Sequence, residues 1–303
     1  MPEHAQTLGK LLRAGAAQLS TTQTPLLDAR ILMKKTLVCD DADLIANERR
    51  LLTDEEVQTF KGLIDRRKNG EPVAYIIGER EFWGDVYQLV PGVLIPRPDS
   101  ETLIQALLEE LPDRHKPLKV LDLGVGSGAL VCALLRELPN AHGVGIDKNP
   151  AALNVAQKNA QRLGLSDRLV VAAGDWSDPN WMPEGGPFDI VMSNPPYIPQ
   201  SDEDKLSDEI VRHEDKDALF SGGDGRGAYK IILRLLSDLC AEEALIGLEI
   251  GDGHAAWLAN AMSDAGGKAI TTYNDLSGVP RALIAEFTAT DGNLASRSGG
   301  SIA

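Results

Sequence analysis

The chain has 303 residues, of which 43% are hydrophobic and 25% charged, with a formal net charge of −15; the length allows two domains, or one large domain with an appendage, in a soluble globular protein. No apolar run approaches bilayer length, Met1–Lys10 lacks the basic-then-apolar order of a secretory signal, and the acidic balance weighs against a nucleic-acid substrate. Three scattered cysteines (Cys39, Cys132, Cys240) and five dispersed histidines show no ligand spacing, so the expectation is buried thiols in a reducing cytoplasm, no metal site and no membrane contact.

Residues 1–72 read as a small helical bundle. Thr24-Pro25 is a cap followed by proline at the first helical position, leading into Leu26, Leu27, Ile31 and Leu32. Thr53 with Glu56 three residues on makes a capping box for a helix through Val57, Phe60 and Ile64, which ends at the basic run Arg66–Lys68 and Asn69-Gly70. Residues 73–98 read as a connector. Val73–Gly78 and Val86–Val90 are rich in β-formers and flank Phe82–Asp85, which predicts a β-hairpin. Leu94-Ile95-Pro96-Arg97-Pro98-Asp99 then leads stiffly into an amphipathic helix from about Ser100 to Glu110.

From Lys119 the pattern alternates strand and helix, predicting a doubly wound α/β fold with a mostly parallel sheet. Seven strands are expected, at Val120–Leu123, Val144–Asp147, Leu169–Ala172, Ile190–Ser193, Ala244–Ile250, Ile270–Tyr273 and Ala282–Phe287. Asn149, Pro150 and Gly164 mark the start and stop of one intervening helix. This third domain spans 99–288. The segment 289–303 is small, polar and Gly/Ser-rich, which predicts a disordered tail.

Two motifs carry chemistry. Strand 120–123 runs into Gly124-Val125-Gly126-Ser127-Gly128, a turn whose glycines let the backbone touch a ligand. Its third glycine arrives one residue earlier than in the dinucleotide fingerprint. Asp147 closes the next strand, nineteen positions after Gly128, where the fold places an acid on ribose hydroxyls; it could instead cap the helix at Asn149-Pro150. Asp175 can accept from an adenine amine and Trp176 can form a flat wall, or Trp176 can simply pack in the core. Together these outline an adenosine pocket, and the lack of a phosphate-gripping lysine argues for an adenosine ligand without a phosphate chain.

The second motif is Asn194-Pro195-Pro196-Tyr197, which ends the strand 188–193. Two prolines remove two donors and stiffen the path, presenting the Asn194 amide, the Pro195 carbonyl and the Tyr197 ring at the strand's carboxyl edge. Two acceptors aimed at a planar nitrogen's two N–H bonds can hold it and raise its electron density. A proline turn that only ends a strand, with Tyr197 packed on the core, is the plainer alternative for Pro-Pro alone.

On these residues the chain resembles class I S-adenosylmethionine-dependent methyltransferases acting on planar nitrogens, and more closely the protein-(glutamine-N5) methyltransferase family. Segments 70–78, 80–84, 94–102, 193–198, 218–225 and 248–251 extend the resemblance over about 5–288. It departs at His254, where a glutamine is expected, at Lys216 in a place that often reads Glu-Pro, and at Val125 for the commoner threonine. The resemblance implies S-adenosyl-L-methionine bound by Gly124, Val125, Gly126, Ser127, Gly128, Asp147, Asp175, Trp176 and Asn194, with S-adenosyl-L-homocysteine as product. Catalysis is implied at Asn194, Pro195 and Tyr197, with Pro196 joining them against the substrate. The implied substrate is the Gly-Gly-Gln glutamine of class I peptide chain release factors, docked by the helical domain. Rival readings are a ribosomal-protein glutamine, an adenine-N6 DNA or RNA methyltransferase, and a non-catalytic adenosine-binding adaptor.

Overall fold

Residues 6–178 and 181–288 are described by the computed structural model. The expected tail at 289–303 lies outside the described residues. Two compact units divide the chain: residues up to Glu79 together with Asp208–His213, and Arg80–Ser207 together with Glu214 onward.

The first unit holds α1 (Leu8–Gln18), α2 (Pro25–Leu37), α3 (Asp41–Ala46), α4 (Asp54–Lys68) and α5 (Val73–Ile77). Leu8, Leu32, Met33, Phe60 and Ile64 meet in its core. Pro25 begins α2 as expected, and the Thr24 hydroxyl donates to Asp28. The Thr53–Glu56 capping box forms in both directions. Segment 73–77 corrects the expected strand. Val73, Ile76 and Ile77 fall on one face of a short helix packed on the bundle core, between Pro72 and a left-handed Gly78. Helical spacing against an apolar partner outweighs the β-propensity of these residues.

The hairpin therefore shifts along the chain, to β1 (Glu79–Phe82) and β2 (Asp85–Gln88). Trp83 and Gly84 turn it, both with positive φ (52° and 75°), the pairing required by a tight type I′ turn.

The second unit continues with α6 (Glu101–Glu110), β3 (Lys119–Leu123), α7 (Ala129–Glu137), β4 (His142–Asp147), α8 (Pro150–Arg162), β5 (Leu169–Ala173) and β6 (Phe188–Ser193). After α9 (Asp208–His213), which groups with the first unit, come α10 (Lys216–Leu219), α11 (Gly227–Leu239), β7 (Cys240–Glu249), α12 (Ala255–Asp264), β8 (Gly267–Asn274) and β9 (Pro280–Thr288). All seven expected strands form one sheet in the order β5-β4-β3-β6-β7-β9-β8. The first five in this spatial order are parallel, and β9 pairs antiparallel with both neighbours.

Alternate residues of the central strands enter different cores. Val120, Ile190, Met192 and Ile284 pack with α6, α7 and α8, whereas Leu121, Leu123, Val191, Ile246 and Leu283 pack with α11 and α12. Burial on both faces explains why these strands read as continuous apolar runs. The strand order reverses between β3 and β6, and a sheet of this type binds ligands outside the carboxyl ends at that point. Among the described residues no helix is long and apolar enough to cross a membrane.

Candidate active site

The glycine turn leaves β3 directly at the reversal point. The Gly124 and Val125 amides both donate to the Ile146 carbonyl at 2.9 Å, stitching the turn to the end of β4. Gly124 sits at φ 84°, and a Cβ there would come within 2.9 Å of the Trp176 ring. Glycine is thus demanded by conformation and by the closeness of the indole. Val125 is buried, and its side chain fills the space that a Cβ on Gly145 would need.

Asp147 stands at the end of β4 with one carboxylate oxygen accepting from the Gly126 amide and the other from the Asn149 amide, both at 2.9 Å. Burial pushes this carboxyl up, while those amides favour its charge. The helix-capping task falls to Asn149, whose Oδ1 accepts from Ala151 at 2.9 Å while Nδ2 donates to the Gly92 carbonyl. Asp175 accepts from the Ser177 hydroxyl and amide, which hold its carboxyl below the usual range.

Strand β6 delivers the second motif. The buried Ser193 hydroxyl donates to the Leu123 carbonyl at 2.6 Å, tying the ends of β6 and β3 together just before Asn194. Asn194 Nδ2 donates to Ser100 Oγ at 3.3 Å. The Tyr197 ring lies on Gly251, where a Cβ would approach within 2.7 Å, and its hydroxyl donates to Glu249 Oε1 at 3.1 Å. Beyond the motif, Ile198 and Phe220 form a parallel bridge, continued by the Ser221 amide donating to the Ile198 carbonyl.

These groups surround one cavity of about 350 Å³ within the second unit. Gly124, Val125, Gly126, Ser127, Asp147, Asp175, Trp176, Asn194 and Pro196 all line it. Gly128, Pro195 and Tyr197 are outside the lining: Gly128 faces Ala156 on α8, and Tyr197 packs on the core behind Asn194. Sequence reasoning assigned no chemistry to Ser100, Glu249 or Asp215, nor to Leu94 and Pro96, which also form walls or supports. The signal available for all but Asp215 was segments 94–102 and 248–251. Arg97 in the first of these pairs with the buried Glu214 at 2.5 Å, fixing the strap. Of the remaining departures, Lys216 pairs with Glu203 at 2.6 Å on the surface. His254 is buried against Tyr229 and Trp257, and burial lowers its pKa.

A family model described as the PrmC N-terminal domain matches residues 10–78, and one described as a methyltransferase domain matches residues 114–266. The release factor glutamine methyltransferase of Rhodospirillum rubrum is 39% identical over 285 residues, covering 93% of this chain and 86% of that protein. Its namesake from Bradyrhizobium diazoefficiens is 38% identical, covering 94% and 96%, and that of Escherichia coli 32% identical, covering 91% and 97%. Among solved structures, the hMettl16 catalytic domain in complex with MAT2A 3′UTR hairpin 6 is similar with a TM-score of 0.52 at 18% identity, over 66% of this chain and 74% of that one. That likeness is one of fold. The sequence relatives, spanning both family models, make the chain a member of the release factor glutamine methyltransferase family.

Proposed function

We propose that this enzyme transfers a methyl group from S-adenosyl-L-methionine to the side-chain amide nitrogen of a glutamine, the Gly-Gly-Gln glutamine of a class I peptide chain release factor. The observation that carries the reading is Asn194 lining the same cavity as the glycine turn, Asp147 and Trp176. Acceptor and donor sites thereby share one cavity. The names of the relatives support the choice of substrate.

The residues present fit the methyl donor. Gly124 lacks the Cβ that would press on Trp176, leaving backbone and indole to face an adenosine. Asp147 carries one amide bond per oxygen, and each oxygen keeps a lone pair for a ribose hydroxyl. Asp175 and Trp176 would hold the base. When bound, the donor supplies a methyl group on a positively charged sulfur.

The rest of the chemistry is positioning. A glutamine amide nitrogen is a weak nucleophile because its lone pair is delocalised. The Asn194 oxygen and the Pro195 carbonyl would accept its two N–H bonds, turning the nitrogen toward the donor and raising its electron density. The paired prolines hold this frame before substrate arrives, so little reorganisation is left for the reaction itself. No strong base is required, because the departing proton becomes acidic only as the new bond forms and can leave to water. An aspartate at 194 would place a full charge beside the sulfonium and disrupt the site.

The proposed division of labour gives docking of the protein substrate to residues 1–72, a connecting role to 73–98 and methyl transfer to 99–288. Exposed Leu26, Leu27, Ile45 and Leu51 on the helical unit support docking of an apolar partner surface. Labelled S-adenosyl-L-methionine, offered separately with release factor, ribosomal protein and duplex DNA, tests the assignment. Label is expected on the release factor and absent when its Gly-Gly-Gln glutamine is replaced. Label confined to ribosomal protein or to DNA overturns the choice of substrate.

A further inference from the structure

An asparagine can meet a substrate with its carbonyl or with its NH2, and only the carbonyl can accept from a glutamine amide N–H. Something must therefore set the flip of Asn194. Its Nδ2 is committed to Ser100 Oγ at 3.3 Å, which turns Oδ1 away from Ser100. Ser100 is 3% exposed and can receive that bond only while its own hydrogen points elsewhere. The Ser100 hydroxyl lies beside the carboxyl of Glu249 and favours its charged form.

Glu249 is itself 1% exposed at the end of β7. Its backbone is held by pairing with Ala282 on β9 and by the Tyr229 hydroxyl, which donates to the Glu249 carbonyl at 2.8 Å and accepts from the Gly251 amide at 3.0 Å. Oε1 accepts from Tyr197, while Oε2 has no hydrogen-bond partner among the described residues and remains an open acceptor. A buried carboxylate without a bonded cation is expensive, and its persistence calls for a function.

We propose that Glu249 is a positioning residue: by drawing the hydrogens of Ser100 and Tyr197 to itself, it fixes the Asn194 carboxamide with its oxygen toward the substrate and pins the far end of the Asn194–Tyr197 frame. The inference rests on Asn194 acting as the acceptor described above. It requires Glu249 ionised, since a protonated carboxyl could donate to Ser100 and compete with Asn194 for the same oxygen. Burial pushes this carboxyl up to about 7, against the pull of Ser100, Tyr197 and Arg281. The titratable and charged groups facing it are Tyr197 after β6, Tyr229 on α11, Arg281 on β9 and Asp99 beside Ser100.

The test uses the full chain with release factor and S-adenosyl-L-methionine, comparing wild type, Glu249→Gln, Ser100→Ala, Ser100→Thr and the Glu249→Gln/Ser100→Ala double variant. Each of Glu249→Gln and Ser100→Ala should lower kcat about tenfold or more, the worth of one well-placed hydrogen bond, with the Kd for S-adenosyl-L-methionine and the KM for release factor near wild type. The double variant should be no worse than the worse single one, and Ser100→Thr should recover activity by restoring the hydroxyl. Wild-type kcat should fall as pH drops below about 7, the value of the Glu249 carboxyl, and that limb should vanish in Glu249→Gln. Wild-type kcat with an unchanged pH profile in Glu249→Gln overturns the inference, as do losses that multiply in the double variant. If Glu249→Gln does not fold, equal kcat in Ser100→Ala and Ser100→Thr is the overturning result and recovery in Ser100→Thr the supporting one. A wild type inactive on every glutamine substrate overturns the parent reading and takes this inference with it. An active wild type beside an unaffected Glu249→Gln removes the inference alone.

Discussion

The helical unit pairs its buried acid with arginine, whereas the methyltransferase unit, beside the paired Glu214, also buries two acids that have no such partner. In the helical unit, Asp28 accepts from Arg67 at 2.7 Å, both side chains below 10% exposure, and Arg67 also donates to Glu209 at 2.7 Å and to the Glu71 carbonyl. In the methyltransferase unit, Asp122 and Glu249 are almost fully buried with no ion pair among the described residues, and burial pushes both carboxyls up. A buried charge that is fully paired holds elements together. Buried acids without a cation, near the carboxyl ends of central strands, are candidates for a site instead. The contrast separates a scaffold from a working surface without reference to any ligand.

The sharpest way to break the comparison is Arg67→Ala. It strands Asp28 and should cost about 3–5 kcal/mol of stability, the usual result of removing one partner of a buried pair. Urea denaturation checks this. S-adenosyl-L-methionine affinity of the folded fraction should be unchanged, because the cavity is lined by the other unit. Asn194→Ala tests the opposite side of the contrast. It should lower kcat by about 10²–10³-fold, as loss of a preorganised polar contact does, while calorimetry still detects S-adenosyl-L-methionine binding and the melting temperature barely moves. Substantial turnover in that variant would remove Asn194 from its assigned role.

Two smaller effects sharpen the picture. Thr53→Ala removes one half of the capping box on α4 and should cost about 1 kcal/mol, read from the same denaturation curves, with kcat intact. Asp122→Asn should stabilise the fold only at higher pH, the gain growing as pH rises above the ordinary aspartate value. The folded Asp122 carboxyl titrates above its unfolded value, so its stability contribution is whole below the unfolded value and declines as pH rises. Melting curves of wild type and variant should coincide near pH 4, around the ordinary aspartate value, and diverge by pH 8. A gap that is constant with pH contradicts a protonated Asp122.

Much of this was legible in one dimension. The strands announce themselves because residues such as Val120 and Leu121 serve opposite faces of one sheet, leaving few polar positions along them. The glycine turn and Asn194-Pro195-Pro196-Tyr197 are legible because backbone chemistry restricts what such sequences can do. Segment 73–77 was misread because four β-forming residues among five carry no local mark of the helical bundle they pack on. Ser100 and Glu249 escaped assignment for a related reason. One begins a helix and the other ends a strand, and each has an ordinary local explanation. Tyr197 was legible as a motif residue, and its packing on the core as the plainer alternative, but its bond to Glu249 was not.

The sequence by itself determined the α/β architecture, the turn at Gly124–Gly128, the acid at Asp147 and the rigid Asn194–Tyr197 frame. These follow from periodicity, proline and glycine, which act over a few residues. Tertiary structure alone decided that Ser100, some ninety residues before Asn194, would take its amide hydrogen, and that Glu249, more than fifty residues after it, would accept from Tyr197. The direction of a hydrogen bond depends on which groups the fold brings within about 3 Å of each other. No local pattern encodes that, because the parallel sheet joins its strand ends only after the whole chain has wound.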